Sequence, residues 1–102
     1  MAANTDFGLS DRTLGLLRGL LGKHNGIDRA IIYGSRAKGN FRPGSDIDLA
    51  LDAPTLMFSE LLQINSELDD LMLPYTIDLS LLKQIDNPSL LSHIERVGKP
   101  LY

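Results

Sequence analysis

A chain of 102 residues, 43% apolar and without cysteine, fits one modest core and excludes disulfides and thiolate metal sites. Its net charge of −3 disfavours long polyanions as partners, and no apolar run approaches the length that spans a bilayer. The N-terminal MAANTDFG lacks the basic-then-apolar layout of a signal peptide, so a cytoplasmic protein with residues 1–102 forming a single domain is the expectation.

In chain order, Ser10 reads as a helix N-cap, with Leu9 and Leu14 placed as a hydrophobic staple. Leu14, Leu16, Leu17, Leu20 and Leu21 recur at helical spacing, and Gly22 or Gly26 ends the helix. Gly15 and Gly19 either admit another backbone closely or are tolerated on the surface. Arg29 to Tyr33 is a short β-branched strand stopped by Gly34, and Ser35 to Lys38 is long enough for one helical turn. Arg42-Pro43-Gly44-Ser45 carries Pro and Gly at the central positions of a type II turn. Ser45 to Asp52 alternates as a second strand.

Leu56 to Met72 predicts a helix with Met57, Phe58, Leu61, Ile64, Leu68 and Leu71 on its buried face. Tyr75 to Leu82 alternates as a third strand. Asn87 caps a last helix that has Pro88 at its first position and runs to about Val97. The order predicts a small α/β (α+β) fold, a mixed β-sheet with helices packed on one face.

Charge is unevenly spread. From Gly34 to Gly44 there are three cations, Arg36, Lys38 and Arg42, and no acid. From Ser45 to Asp86 there are nine acids and one cation, Lys83. A local positive patch of this size suits a small anion better than a long nucleic acid.

Strand alternation puts Asp46 and Asp48 on one face and Ile47, Leu49 and Leu51 on the other, with the aspartate Cα atoms roughly 6.5–7 Å apart. In the third strand Ile77, Leu79 and Leu81 alternate with Asp78, which joins the first two acids if the strands are neighbours. Aspartate is disfavoured inside strands, and three carboxylates on one face repel unless cations lie among them. Oxygen donors without Cys or His point to Mg²⁺ or Mn²⁺. Gly34-Ser35, at a junction from strand to helical turn, offers backbone N–H groups, a hydroxyl and an approach free of a Cβ to a phosphate. His24 and His93 have no partner pattern and read as a loop and a helix residue. Tyr33 and Phe41 read mainly as packing.

Gly34-Ser35, ten residues, then Asp46-Ile47-Asp48 resembles the G-S-x10-D-x-D motif of the DNA polymerase beta-type nucleotidyltransferases. With Tyr75-Thr76-Ile77-Asp78-Leu79 and the closing Gly98-Lys99-Pro100-Leu101-Tyr102, the chain is similar to the minimal nucleotidyltransferase (MNT) domains from about Arg29 onward. Lys38 stands where many relatives carry Arg, and the two differ in bidentate phosphate binding.

The resemblance implies transfer of AMP, or another nucleoside monophosphate, from an NTP such as ATP to a hydroxyl. Asp46, Asp48 and Asp78 would be the catalytic acids and would hold two Mg²⁺ ions. Gly34 and Ser35 would grip phosphates, with Arg36, Lys38 and Ser45 as further phosphate-binding candidates. The missing helical domain of larger relatives implies a partner, and MNT domains are often paired with a HEPN-domain toxin, some modifying a tyrosine of that partner as antitoxins. A hetero-oligomer without direct long nucleic acid or membrane contact is the expectation. The alternatives are a small-molecule, aminoglycoside-type nucleotidyltransferase with a separate helical subunit, and an antitoxin that acts by binding alone.

Overall fold

The computed structural model describes residues 7–102. Ser10 caps the first helix, α1 (Asp11–Gly22), by accepting the Thr13 N–H at 3.2 Å, and Leu9 and Leu14 are both buried beside it. Nothing approaches the faces of Gly15 and Gly19, so both are surface glycines. Strand β1 (Arg29–Tyr33) leads into the single-turn helix α2 (Ser35–Lys38). Strand β2 (Ile47–Asp52) follows the turn at Arg42–Ser45, which is closed by Ser45 N–H donating to the Arg42 carbonyl at 2.9 Å. Gly44 does not take the positive φ that a type II turn demands, so the expected turn type is wrong although the turn is present.

Helix α3 (Phe58–Asp70) starts two residues later than the apolar pattern predicts. Glu60 reaches back to the Met57 N–H at 3.4 Å. Leu61, Ile64 and Leu68 are buried as expected, but Met57 and Phe58 are 67% and 63% exposed. They stand at the helix entrance, Met57 as its N-cap and Phe58 as its first residue. Strand β3 (Ile77–Leu81) and a 3₁₀ turn (Leu82–Gln84) lead to α4 (Pro88–Val97), capped by the Asn87 side chain accepting from Ser89 and Leu90 N–H.

The sheet is mixed, as expected, in the order β3-β2-β1 with a short edge strand, β4 (Lys99–Pro100), beside β1. β1 runs antiparallel to β2 and β4, and β2 runs parallel to β3. The parallel pair requires a crossover, and α3 supplies it. β4 carries no strand signal of its own and exists by pairing with Ile31 and Ile32.

Alternation sorts the side chains into two faces. Ala30, Ile32, Ile47, Leu49 and Leu51 join Leu14, Leu17 and Leu21 of α1 and Leu61, Ile64 and Leu68 of α3 in one buried cluster. The His24 ring meets the Glu67 carboxylate at 2.9 Å and ties the end of α1 to α3. The other face has a smaller cluster of Tyr33, Ala50 and Ile94, with Ile31 and Leu90 at its margin. Ile94 and Leu90 belong to α4, so the helices do not all pack on one face. The apolar stripe of α4 shows that one side is buried but not which face of the sheet receives it. Among the described residues no helix is long and apolar enough to cross a membrane.

Candidate active site

The junction of β1 and α2 is built around a glycine. Gly34 has φ 74° and ψ −152°, a region that residues with a Cβ rarely occupy. A Cβ there would also run into the Asp48 carboxylate. The glycine therefore permits both the turn and the close approach of the acid. Ser35 opens α2, whose Lys38 and Gly39 N–H groups bond back to the Gly34 and Ser35 carbonyls at 3.1 and 2.9 Å. The first-turn N–H groups have no such helical partner and are left for other acceptors. Gly34 N–H is engaged differently, donating to His93 Nε2 of α4 at 3.2 Å.

Asp48 and Asp78 are direct register partners across the parallel β2–β3 pair, and Tyr33 is the partner of Asp48 on the other side. Neighbouring strands lie about 4.8 Å apart, so the three residues form a row across the sheet. Asp46, just before β2, is exposed, as is Asp78, while Asp48 is partly buried. Burial, and then the charges of Asp78 and Asp46, hold the Asp48 carboxyl above the usual carboxylate range. Burial also raises the Tyr33 phenol; its hydrogen bond with Ser80 opposes that, and the Asp48 and Asp78 charges add to it. The His93 ring meets Tyr33 edge-on, with centroids 6.2 Å apart.

Among the described residues no group of three His, Cys, Asp or Glu side chains converges closely enough to enclose an ion as placed. In donor chemistry the row still fits a hard divalent cation. It offers carboxylate oxygens, and the repulsion borne by Asp48 is what a cation between the acids would relieve.

One expected phosphate contact, Arg36, is placed elsewhere. Arg36 is only 2% exposed. Its Nε donates to Ser45 O at 3.1 Å, its Nη1 to Phe7 O at 2.8 Å, and its Nη2 to Ser45 O at 2.8 Å and Pro43 O at 3.3 Å. The guanidinium lies 4.8 Å from the Tyr75 ring centroid and 5.3 Å from that of Phe41. A buried guanidinium must satisfy its donors, and these carbonyls take them. Arg36 is thus a brace binding the N-terminal segment and the turn before β2 to α2, not a phosphate ligand. Ser45 belongs to the same brace. Its carbonyl receives Arg36, and its Oγ accepts the Arg42 N–H at 2.8 Å. Lys38 is exposed near the end of α2.

His93 and Tyr33 stand at the site although the sequence marks neither. No spacing rule links a histidine late in the chain to a glycine turn that far upstream. The one available hint is that Ile94, the next residue, is the apolar anchor of α4.

A mixed sheet carrying a glycine–serine turn against paired strand aspartates defines a nucleotidyltransferase core. The family described as Polymerase beta, Nucleotidyltransferase matches residues 17–102, and the chain belongs to it. No curated protein matches. Among solved structures, the chain is similar to a toxin–antitoxin crystallised with AMP-PNP, at 23% identity and TM-score 0.70, covering 87% of this chain and 72% of that one. It is also similar to a tyrosine-to-alanine variant of the MntA–HpeT toxin–antitoxin, at 25% identity and TM-score 0.64, covering 90% and 70%. A third is the tri-AMPylated Shewanella oneidensis HEPN toxin in complex with MNT antitoxin, at 22% identity and TM-score 0.59, covering 90% and 67%.

Proposed function

We propose that this chain transfers AMP from Mg²⁺·ATP to a tyrosine hydroxyl of a HEPN-type partner and thereby acts as its antitoxin. The observation that carries this reading is the register pairing of Asp48 with Asp78, on a sheet face where the Gly34 turn is pressed against Asp48. The structural neighbours that include AMP-PNP and an AMPylated HEPN toxin support the choice of nucleotide and acceptor.

In this mechanism Ser35 and the first-turn N–H groups of α2 hold triphosphate oxygens, and Gly34 leaves room for them. Asp46, Asp48 and Asp78 would hold divalent cations, which stabilise the entering and leaving oxygens of an in-line displacement when bound. Exposed Asp78 accepts the proton of the acceptor hydroxyl at a carboxylate oxygen. The acceptor oxygen bonds to the α-phosphorus as the bond from that phosphorus to its bridging oxygen breaks, and pyrophosphate departs. The exposure of Asp46 and Asp78 leaves the acceptor side of the site to be completed by the partner.

The test is incubation with ATP labelled in the adenylate, Mg²⁺ and the protein encoded beside this one. Label is expected on a partner tyrosine, and Asp46→Asn combined with Asp48→Asn should reduce it by roughly 10³-fold or more while the protein stays folded. Label on a small hydroxyl compound, or tight partner binding without label, would replace this reading. Undiminished labelling by the double variant would refute the mechanism.

A further inference from the structure

The strand-to-helix turn at Gly34 is held from outside its own segment. Its N–H donates to His93 Nε2 at 3.2 Å, so that nitrogen is unprotonated and the neutral ring carries its proton on Nδ1. The imidazole is fixed on two sides. Tyr33, the residue before the turn, meets it edge-on at an interplanar angle of 80°. Ile94, the residue after it, is buried against Tyr33 and Ala50. The end of α4 is fixed as well, because Gly98 donates to the Ile94 carbonyl at 2.8 Å and packs against Ile31 of β1. Tyr33, Gly34 and His93 therefore form a closed ring of contacts between β1, the turn and α4.

Glycine has more conformational freedom to lose than any other residue, and Gly34 sits where that freedom would blur the turn. Ile94 already anchors α4 without help from the histidine. The bond to Gly34 instead fixes the Tyr33–Gly34 peptide, at the entrance to the turn that leads into Ser35 and beside Asp48. A site that grips phosphates through backbone N–H groups gains from having those groups aimed before the ligand arrives.

We propose that His93 is a positioning residue for the phosphate-binding turn: by accepting the Gly34 N–H, it sets the direction of the Ser35 end of α2 before nucleotide binds. This rests on the nucleotide reading above. Gln is the informative replacement, since its amide oxygen can accept a hydrogen bond at a reach close to that of Nε2, whereas Ala cannot.

Three proteins, the wild type, His93→Ala and His93→Gln, are titrated with Mg²⁺·AMP-PNP. Gly34 amide exchange and the melting temperature are followed in parallel. His93→Ala should bind nucleotide about tenfold more weakly, and its Gly34 amide should exchange faster by a similar factor, with melting changed by no more than a few degrees. His93→Gln should recover most of both effects. Unchanged Gly34 exchange and normal nucleotide uptake in His93→Ala would overturn the role alone. So would a loss of affinity that tracks a fall in melting temperature and that Gln does not restore. A wild type that is folded but takes up no Mg²⁺·AMP-PNP would overturn the nucleotide reading and this role with it.

Discussion

On one face of the sheet Ile32, Leu49 and Leu51 lie fully buried under α1 and α3. On the other, Asp48 and Asp78 stand in register beside Tyr33, and α4 packs over Tyr33 and Ala50. The same strands build both faces, one residue out of phase. The first face has the burial that stabilises a small domain. The second keeps a partly buried acid beside two others, an arrangement that opposes folding and that a bound cation would relieve. Stability and chemistry are thus divided by strand alternation.

Two substitutions one position apart probe that division most sharply. Leu49→Ala should cost about 2–5 kcal/mol of stability and lower activity only through the amount of folded protein, as read by denaturant melts beside specific activity. Asp48→Asn should do the reverse. The folded Asp48 carboxyl sits above its ordinary range, so its stability contribution is full below the unfolded value and is lost as pH rises through the folded one. Asn imitates the protonated form. The variant should melt a few degrees higher than wild type at neutral pH, and the gap should close in acid. Added Mg²⁺ should raise the wild type and leave the variant unmoved. A variant that melts lower at neutral pH would break the comparison.

Arg36 gives the next largest effect. Lysine keeps the charge but cannot reach the carbonyls of Phe7, Pro43 and Ser45 together, so Arg36→Lys should cost roughly 2–3 kcal/mol. Nucleotide affinity of the folded fraction should stay near wild type. A selective loss of affinity with unchanged stability would return Arg36 to the site.

The smallest effect lies on the apolar side. Hydrogen bonds from His24 and then Gln63 hold the Glu67 carboxyl below its usual range. Its contribution is present above the unfolded value and lost as pH falls through the folded one. Glu67→Gln should lower the melting temperature by at most a few degrees at neutral pH, and the two curves should merge in acid.

Much of this plan was legible where one local signal decides the outcome. Ser10 and Asn87-Pro88 announce their helices, and the period-two pattern from Asp46 to Leu51 separates acids from core without any knowledge of neighbours. The pairing of Asp48 with Asp78 was legible only as a condition, because strand order is a long-range property. What escaped had no local signature. β4 is two residues held by backbone pairing, and His93 meets Gly34 across most of the chain. Arg36 misled because a cation beside a glycine turn reads the same whether it points at a ligand or at its own backbone. Met57 and Phe58 misled because helical periodicity alone does not tell which turns of a helix are covered, and these two fall at its exposed entrance.

The parallel register of β2 and β3 also orders events in time. Gly34, Asp46 and Asp48 come together through a nearby turn, an early and inexpensive closure. Asp78 joins them only after the chain has crossed over through α3, and His93 and the β4 edge come later still. On a ribosome the Gly34 turn and the first acids would emerge together, and the last acid would arrive only with the crossover. The site would therefore gain its third acid only after α3 had been made.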